Sequence, residues 1–286
     1  MTSNARPIYR GAGRPVLHGR QWPLHIILVL SSVITIGPFL WMLLTSFKTF
    51  EESVLIPPTL LPAAWNLDNY RIVVGKFPFP LFYLNTFAMV AMSIIGQLVI
   101  CSMAAYAFAR LEFPGRNVLF TLCLALLMVP GQIFLVPHYD IMVRLKLTDT
   151  VTALWLPKIF SAFGTFMLRQ FFMGQPKSLD EAAKIDGCSY FGIYFRILLP
   201  LVKPALVSLA ILTALSAFKD LMWPLIVNNS MTKMTLSAGL AMLIGEHTTY
   251  YPQVMAGSAL AIWPMILLFL LFQRQFIEGI AMTGIK

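Results

Sequence analysis

Charge is scarce in this chain. Of its 286 residues only 12% are Asp, Glu, Lys or Arg, whereas 58% are hydrophobic, and the mean hydropathy is +0.76. A soluble domain of this size has nowhere to bury so much apolar surface, so the composition points to an integral membrane protein. Acidic residues are the scarcer sign, twelve against twenty-one Lys and Arg, which leaves a net charge of +9. In a soluble chain that balance would suggest nucleic acid. Here the basic residues flank apolar runs in short loops, a membrane-topology signal, and no nucleic-acid partner is expected. Cysteine is also rare. Cys101 and Cys123 lie in apolar runs and Cys188 in a polar stretch; an odd count without C-x-x-C spacing argues against a disulfide framework. His18, His25, His138 and His247 are far apart and lack metal-site spacing. No G-x-x-x-x-G-K-[ST] loop is present, so the chain is not expected to bind ATP. The motifs H-E-x-x-H and G-x-S-x-G are missing too, with no Ser–His or paired-Asp set on facing spans, which argues against an intramembrane enzyme. Low-complexity tracts and internal repeats are absent.

What the chain does have is apolar runs long enough to cross a bilayer as helices, the form that satisfies its own backbone in lipid. Six lie at about 24–47, 81–109, 117–137, 151–172, 201–228 and 254–276. The first is too long for a signal peptide, and Thr45-Ser46-Phe47-Lys48 is a poor cleavage site, so it reads as a retained span. The expected organisation is a basic tail over 1–23, a membrane domain over 24–276 and a C-terminal tail over 277–286. Thirteen Lys and Arg fall on the side of the tails and of the loop after span four, against six on the other. The first side is expected to be cytoplasmic, with both termini in it. Pro57, Pro58 and Pro62 preclude a continuing helix after span one, leaving an external loop with some order of its own. Residues 236–245 are apolar but too short to span, and read as interfacial or re-entrant.

The loop after span four, about 176–200, interrupts this pattern. Ser178-Leu179-Asp180-Glu181 fits a capping box, with the Ser178 side chain accepting from the Glu181 amide. Asp180 and Glu181 complement the first-turn dipole, and Gly187 suits a left-handed C-cap. The spacing predicts a helix over 179–186 and a second over about 189–197, ending near Pro200. Ala182 and Ala183 leave one side of the first helix nearly flat. A polar helix between two spans lies in water or against a soluble partner; as an ordinary loop helix it would simply rest on the membrane.

The run Glu181-Ala182-Ala183-Lys184-Ile185-Asp186-Gly187, followed by Phe191, Ile197, Pro200 and Pro204-Ala205, closely resembles the cytosolic "EAA" loop of ABC-type import permeases. Asn85-Thr86-Phe87, Ala104 to Arg110 with Phe113-Pro114-Gly115, Met128 to Gln132 with Pro137, Trp223-Pro224-Leu225 and Gly239-Leu240-Ala241 resemble the carbohydrate-uptake branch. Within it they look like the class of the second, six-span maltose permease. The resemblance runs from about span one to the C-terminus. It implies an all-α membrane protein with six transmembrane helices and a cytosolic coupling helix, the type I ABC importer permease fold, in a bacterial inner membrane. It further implies a second homologous permease, two ATP-binding subunits that hold the ATP and Mg²⁺, and an external solute-binding protein. Glu181, Ala182, Ala183, Asp186 and Gly187 would then couple the ATPase to the spans. Residues 279–286 resemble the family's C-terminal tail, which in some members reaches between the ATPase subunits; the alternative is a frayed terminus.

Charges within a membrane are costly and usually face a cavity or a partner. Lys219 and Asp220 fall within span five, about 100° apart on a helix, so they need not pair. Alternatively the span is broken there and Lys219 snorkels. Related sequences often carry Trp-Asn-Asp at this place, whereas this chain has Phe218-Lys219-Asp220, and the cation points to an acidic or phosphorylated saccharide. Asn85, Gln132, Trp223 and Asn228, with Gln97 and Ser216, are further pathway candidates, since sugar sites combine aromatic faces with directional polar groups; helix packing is the competing role for each. The other class of function left open is an ATPase-independent secondary transporter or channel.

Overall fold

A computed structural model describes residues 22–244 and 249–284, with side chains as far as Gln273. The basic tail, apart from its last two residues, and His247 lie outside the described residues. Every regular element among them is a helix. Helix α1 spans Trp22–Ser46. Ser31, Ser32 and Thr35 bond back within the helix, Ser32 to Leu28 O at 2.7 Å and Thr35 to Ser31 O at 2.8 Å, so these three hydroxyls are satisfied without water. None of its apolar window is buried, and it packs along the last helix.

The loop that follows is ordered. Helix α2 (Phe50–Ser53) is capped by Thr49, and Glu52 accepts from Ala63 N at 2.8 Å. Helix α3 (Asp68–Lys76) is pinned by Asn69, whose amide donates to Ser46 O and Lys48 O, each at 2.9 Å. Helix α4 (Phe79–Arg110) is the hub of the fold and packs on spans four and five.

Three spans are not straight. Helix α5 (Arg116–Ala125) ends in a 3₁₀ turn, the chain breaks at Val129-Pro130, and α6 (Leu135–Arg144) departs at 103°. The residue before a proline is driven extended and the proline donates no amide; Val129 sits at φ −93°, ψ 123°. Helix α7 (Val151–Trp155) passes through a 3₁₀ turn holding Pro157 and bends 47° into α8 (Ala162–Met173), whose N-cap Ser161 accepts from Gly164 N. Helix α9 (Ser178–Ile185) leads to α10 (Tyr190–Gly192), a π-helical turn over Ile193–Leu198 and α11 (Leu199–Leu201). A 76° bend precedes α12 (Lys203–Lys219).

Span five therefore differs from the continuous 201–228 run expected. It stops at Lys219, Asp220 is extended, and α13 (Met222–Val227) starts after the break. The segment expected to be interfacial or re-entrant contains α14 (Leu236–Ala241). It is packed inside, with Leu236 and Ala238 buried. The Leu236 amide donates to Thr86 Oγ1 at 2.9 Å, and Gly239 lets it lie directly against the Phe82 ring. Helix α15 (Tyr251–Gly284) continues past the expected end at 276. Among the described residues, three continuous helices and three bent pairs are thus long and apolar enough to cross a membrane. The bends replace straight crossings because prolines and polar residues stand where an unbroken helix would need backbone donors or apolar side chains.

Candidate functional site

The expected coupling and pathway residues fall mainly in two places among the described residues. The first is α9. The expected capping box does not form: Lys177, in helical conformation, is the N-cap and no side chain caps the helix. The Asp180 and Glu181 amides donate to Lys177 O at 3.0 and 3.2 Å. A cap needs an extended residue whose side chain folds back, and Ser178 is already inside the first turn. The C-terminus behaves as the sequence predicts. Gly187 has φ +79°, Gly187 N donates to Lys184 O and Cys188 N to Ala183 O, which is a Schellman closure.

The two alanines of α9 differ. Ala183 is 4% exposed and packs into a core cluster with Tyr106, Phe172 and Tyr194, while Ala182 and Glu181 face outward. The flat surface expected of both belongs to Ala182 alone. Asp180 points inward as well. Its Oδ2 meets Arg110 Nη1 at 3.2 Å, with the two side chains 15% and 5% exposed. Arg110 also donates from Nη2 to Gln175 O at 2.7 Å. The end of α4 is therefore fastened to α9 and to the turn before it. Tyr106 adds a bond to Tyr190 O at 3.1 Å. Ile185, Phe191 and Tyr190 remain exposed on this end, and Lys184 lies 5.1 Å over the Tyr190 ring.

The second place is a cavity of about 640 Å³ where the three bent spans meet α4. Its walls are Ser93 and Gln97 of α4, Gln132 and His138 around the break in span three, Lys158 at the break in span four, and Thr213, Ser216, Lys219, Asp220 and Trp223 around the break in span five. Each break frees backbone from a helix and brings polar side chains to the wall, the tolerated use of irregular backbone at membrane depth. Asp220 is paired, but with Lys158 and not with its neighbour Lys219. Lys219 is exposed and makes no ion pair or hydrogen bond among the described residues. Trp223 is buried, donates from Nε1 to Ala153 O at 2.8 Å and meets the His138 ring edge-on at 6.0 Å.

Of the pathway candidates, Gln132, Lys219, Asp220 and Trp223 come together at this wall, with Gln97 and Ser216. Asn85 and Asn228 do not line it. The Asn85 amide donates to Thr232 O and Met234 O, each at 2.9 Å, and Asn228 donates to Lys233 O at 2.8 Å. Both tie down the chain before α14. Sequence reasoning missed Lys158 and the wall position of His138. The signal for Lys158 was available: it is a cation inside an apolar run, directly after Pro157, the same criterion that singled out Lys219.

Comparison with known proteins bears directly on this architecture. Residues 97–281 match the family described as the inner membrane component of binding-protein-dependent transport systems. The chain belongs to that family. The arabinooligosaccharides transport system permease protein AraQ of Halalkalibacterium halodurans is 36% identical over 269 residues, covering 93% of this chain and 96% of the relative. The sn-glycerol-3-phosphate transport system permease protein UgpE of Pectobacterium atrosepticum is 32% identical over 264 residues, covering 90% and 94%. Among solved structures, a bacterial ABC transporter that imports the acidic polysaccharide alginate aligns with a TM-score of 0.77 at 20% identity, over 92% of this chain and 99% of that one. The same kind of transporter with an alginate pentasaccharide-bound periplasmic protein aligns at 0.61 and 15%. The fold is therefore that of an ABC importer permease, a multi-pass inner-membrane subunit. Such a subunit is not itself an enzyme, and ATP hydrolysis belongs to partner subunits. Membership sets aside the ATPase-independent carrier or channel.

Proposed function

We propose that this chain lines half of the translocation pathway of an importer for an acidic or phosphorylated saccharide or polyol. Its partners would be a second permease, two ATP-binding subunits and an external solute-binding protein. Both termini and α9 face the cytoplasm in this reading, in line with the excess of Lys and Arg on that side. Alternating access would be driven through α9, with Glu181 and Ala182 presented to the ATPase. Ala183 fastens the helix to the membrane core, and Asp186 and Gly187 close its C-terminus.

The charge of the cavity wall carries the solute assignment. Two lysines face one aspartate, and that aspartate is already paired with Lys158. Lys219 is left on the wall as an exposed cation with no ion-pair partner among the described residues, and a charge at membrane depth marks a place for an anionic partner. Gln97, Thr213 and Ser216 add directional groups suited to hydroxyls. Relatives are named for both neutral and anionic solutes. A neutral oligosaccharide is the second reading, favoured by the Trp223–His138 aromatic wall.

Uptake measured in vesicles holding the whole importer and its binding protein separates the two. Lys219→Asn is expected to weaken uptake of an anionic solute by about tenfold, the worth of one charge-assisted hydrogen bond. Uptake of a neutral analogue should change little. Equal effects on both would assign Lys219 to structure and leave the neutral reading.

A further inference from the structure

Lys158 and Asp220 occupy a particular position. Lys158 closes the 3₁₀ turn at the break in span four, and Asp220 is the extended residue at the break in span five. Their ion pair is one link of a polar chain. Thr213 donates to Gln97 Oε1 at 2.7 Å, Gln97 donates from Nε2 to Lys158 O at 2.9 Å, Lys158 donates to Asp220, and Asp220 Oδ1 accepts from Trp223 N at 3.4 Å. All of these groups belong to residues of the cavity wall. The ion pair is only partly withdrawn from water, the two side chains being 25% and 17% exposed. It is thus neither a screened surface contact nor a sealed structural pair.

We propose that Lys158 is a second solute-binding cation, masked by Asp220 and handed to the anionic group of the solute when it enters. The inference rests on the anionic-solute reading above and adds the residue that would set its selectivity. The physical ground is exchange of one carboxylate-like partner for another. Removing a partner outright from a withdrawn ion pair is costly, because a charge is left without compensation. Replacing Asp220 by the solute anion keeps Lys158 compensated, while the released Asp220 carboxylate retains the Trp223 amide and has Lys219, its sequence neighbour on the same wall, as the remaining cation. With Asp220 paired to Lys158 the three charged groups sum to one positive charge, so the wall need not hold two unpaired cations. Because the pair joins two helix breaks, the exchange also frees span four from span five at the moment of occupancy.

The test is equilibrium dialysis on the intact importer complex in nanodiscs, without binding protein. The probes are radiolabelled sn-glycerol 3-phosphate and digalacturonate as anions and arabinobiose as the neutral solute. The wild type should bind one of the anions more tightly than arabinobiose. Lys158→Gln should raise the Kd for that anion by about tenfold and leave arabinobiose within a factor of about two. Asp220→Asn should do the opposite, lowering the anion Kd by unmasking Lys158. Opposite signs for the two variants are the signature, since a purely structural pair would lose binding in the same direction from either side. A wild-type complex that prefers the anion while both variants weaken all three probes alike would overturn the role of Lys158 and leave the anionic reading standing. A wild-type complex that binds arabinobiose and neither anion would remove both.

Discussion

The contact between Arg110 and Asp180 is the sharpest place to test how α9 is held. Replacing Arg110 by Met keeps most of the side-chain volume and removes the charge. Asp180, 15% exposed beside an arginine at 5%, would be left as a withdrawn carboxylate, and its Oδ1 already lacks a partner among the described residues. Breaking a buried pair from one side costs about 3–5 kcal/mol. The bond to Gln175 O is lost as well. Even the lower figure shifts the equilibrium between docked and undocked α9 on the order of a hundredfold. Hydrogen exchange of the amides over 180–188, measured on the assembled importer in nanodiscs, should rise accordingly, and solute-stimulated ATPase activity should fall with it. The double variant Arg110→Met/Asp180→Leu removes both charges, and apolar replacement of a whole pair is often near neutral; it should restore most of the protection. Unchanged exchange in Arg110→Met, or a double variant as exposed as the single one, would refute the idea that this pair fastens α9 to α4.

Three further expectations follow from single residues. Gly187→Val places a β-branched side chain at φ +79°, a strain of roughly 1–2 kcal/mol or more. The variant should insert and assemble but lose ATP-driven uptake, and normal uptake would count against coupling through this cap. Asp149 links the turn after α6 to the turn after α13: it accepts from Ser230 N at 2.8 Å and Asn229 N at 3.1 Å, and from the Ser230 hydroxyl. The Ser230 hydroxyl, followed by its amide, holds the Asp149 carboxyl below its ordinary value. The clip should therefore be fully present above the ordinary aspartate pKa and be lost as pH falls through the lowered one. After correction for the intrinsic pH dependence of amide exchange, protection over 227–230 should fall in acid in the wild type and show no such step in Asp149→Asn. Cys188 is half-buried whereas Cys101 and Cys123 are buried, so an impermeant thiol reagent should label Cys188 from the cytoplasmic side only. Labelling in intact cells would invert the topology.

Composition and periodicity determined a good deal here without any tertiary information. Membrane class, the number and rough location of the apolar runs, and the left-handed stop at Gly187 are local properties. Each depends on hydropathy over a window or on the conformation one residue type permits. The polar stretch over 178–187 stood out for the same reason, and its resemblance to the EAA loop was carried by consecutive residues. What the tertiary structure decided concerns direction and pairing. Hydropathy does not register the bend at Val129-Pro130 or the helix break at Asp220, since both halves of a broken span are apolar. Asn85 and Asn228 looked like pathway amides because their residue type suits a sugar, yet backbone carbonyls at 232–234 claim them. By sequence Asp180 serves a helix dipole and Asp220 need not pair with its neighbour; folding brings Arg110 from seventy residues away and Lys158 from sixty-two. Long-range charge pairs have no local signature. They exist because α4 and the two breaks converge on one cavity and one docked helix, and only the packed arrangement of the spans fixes which cation meets which acid.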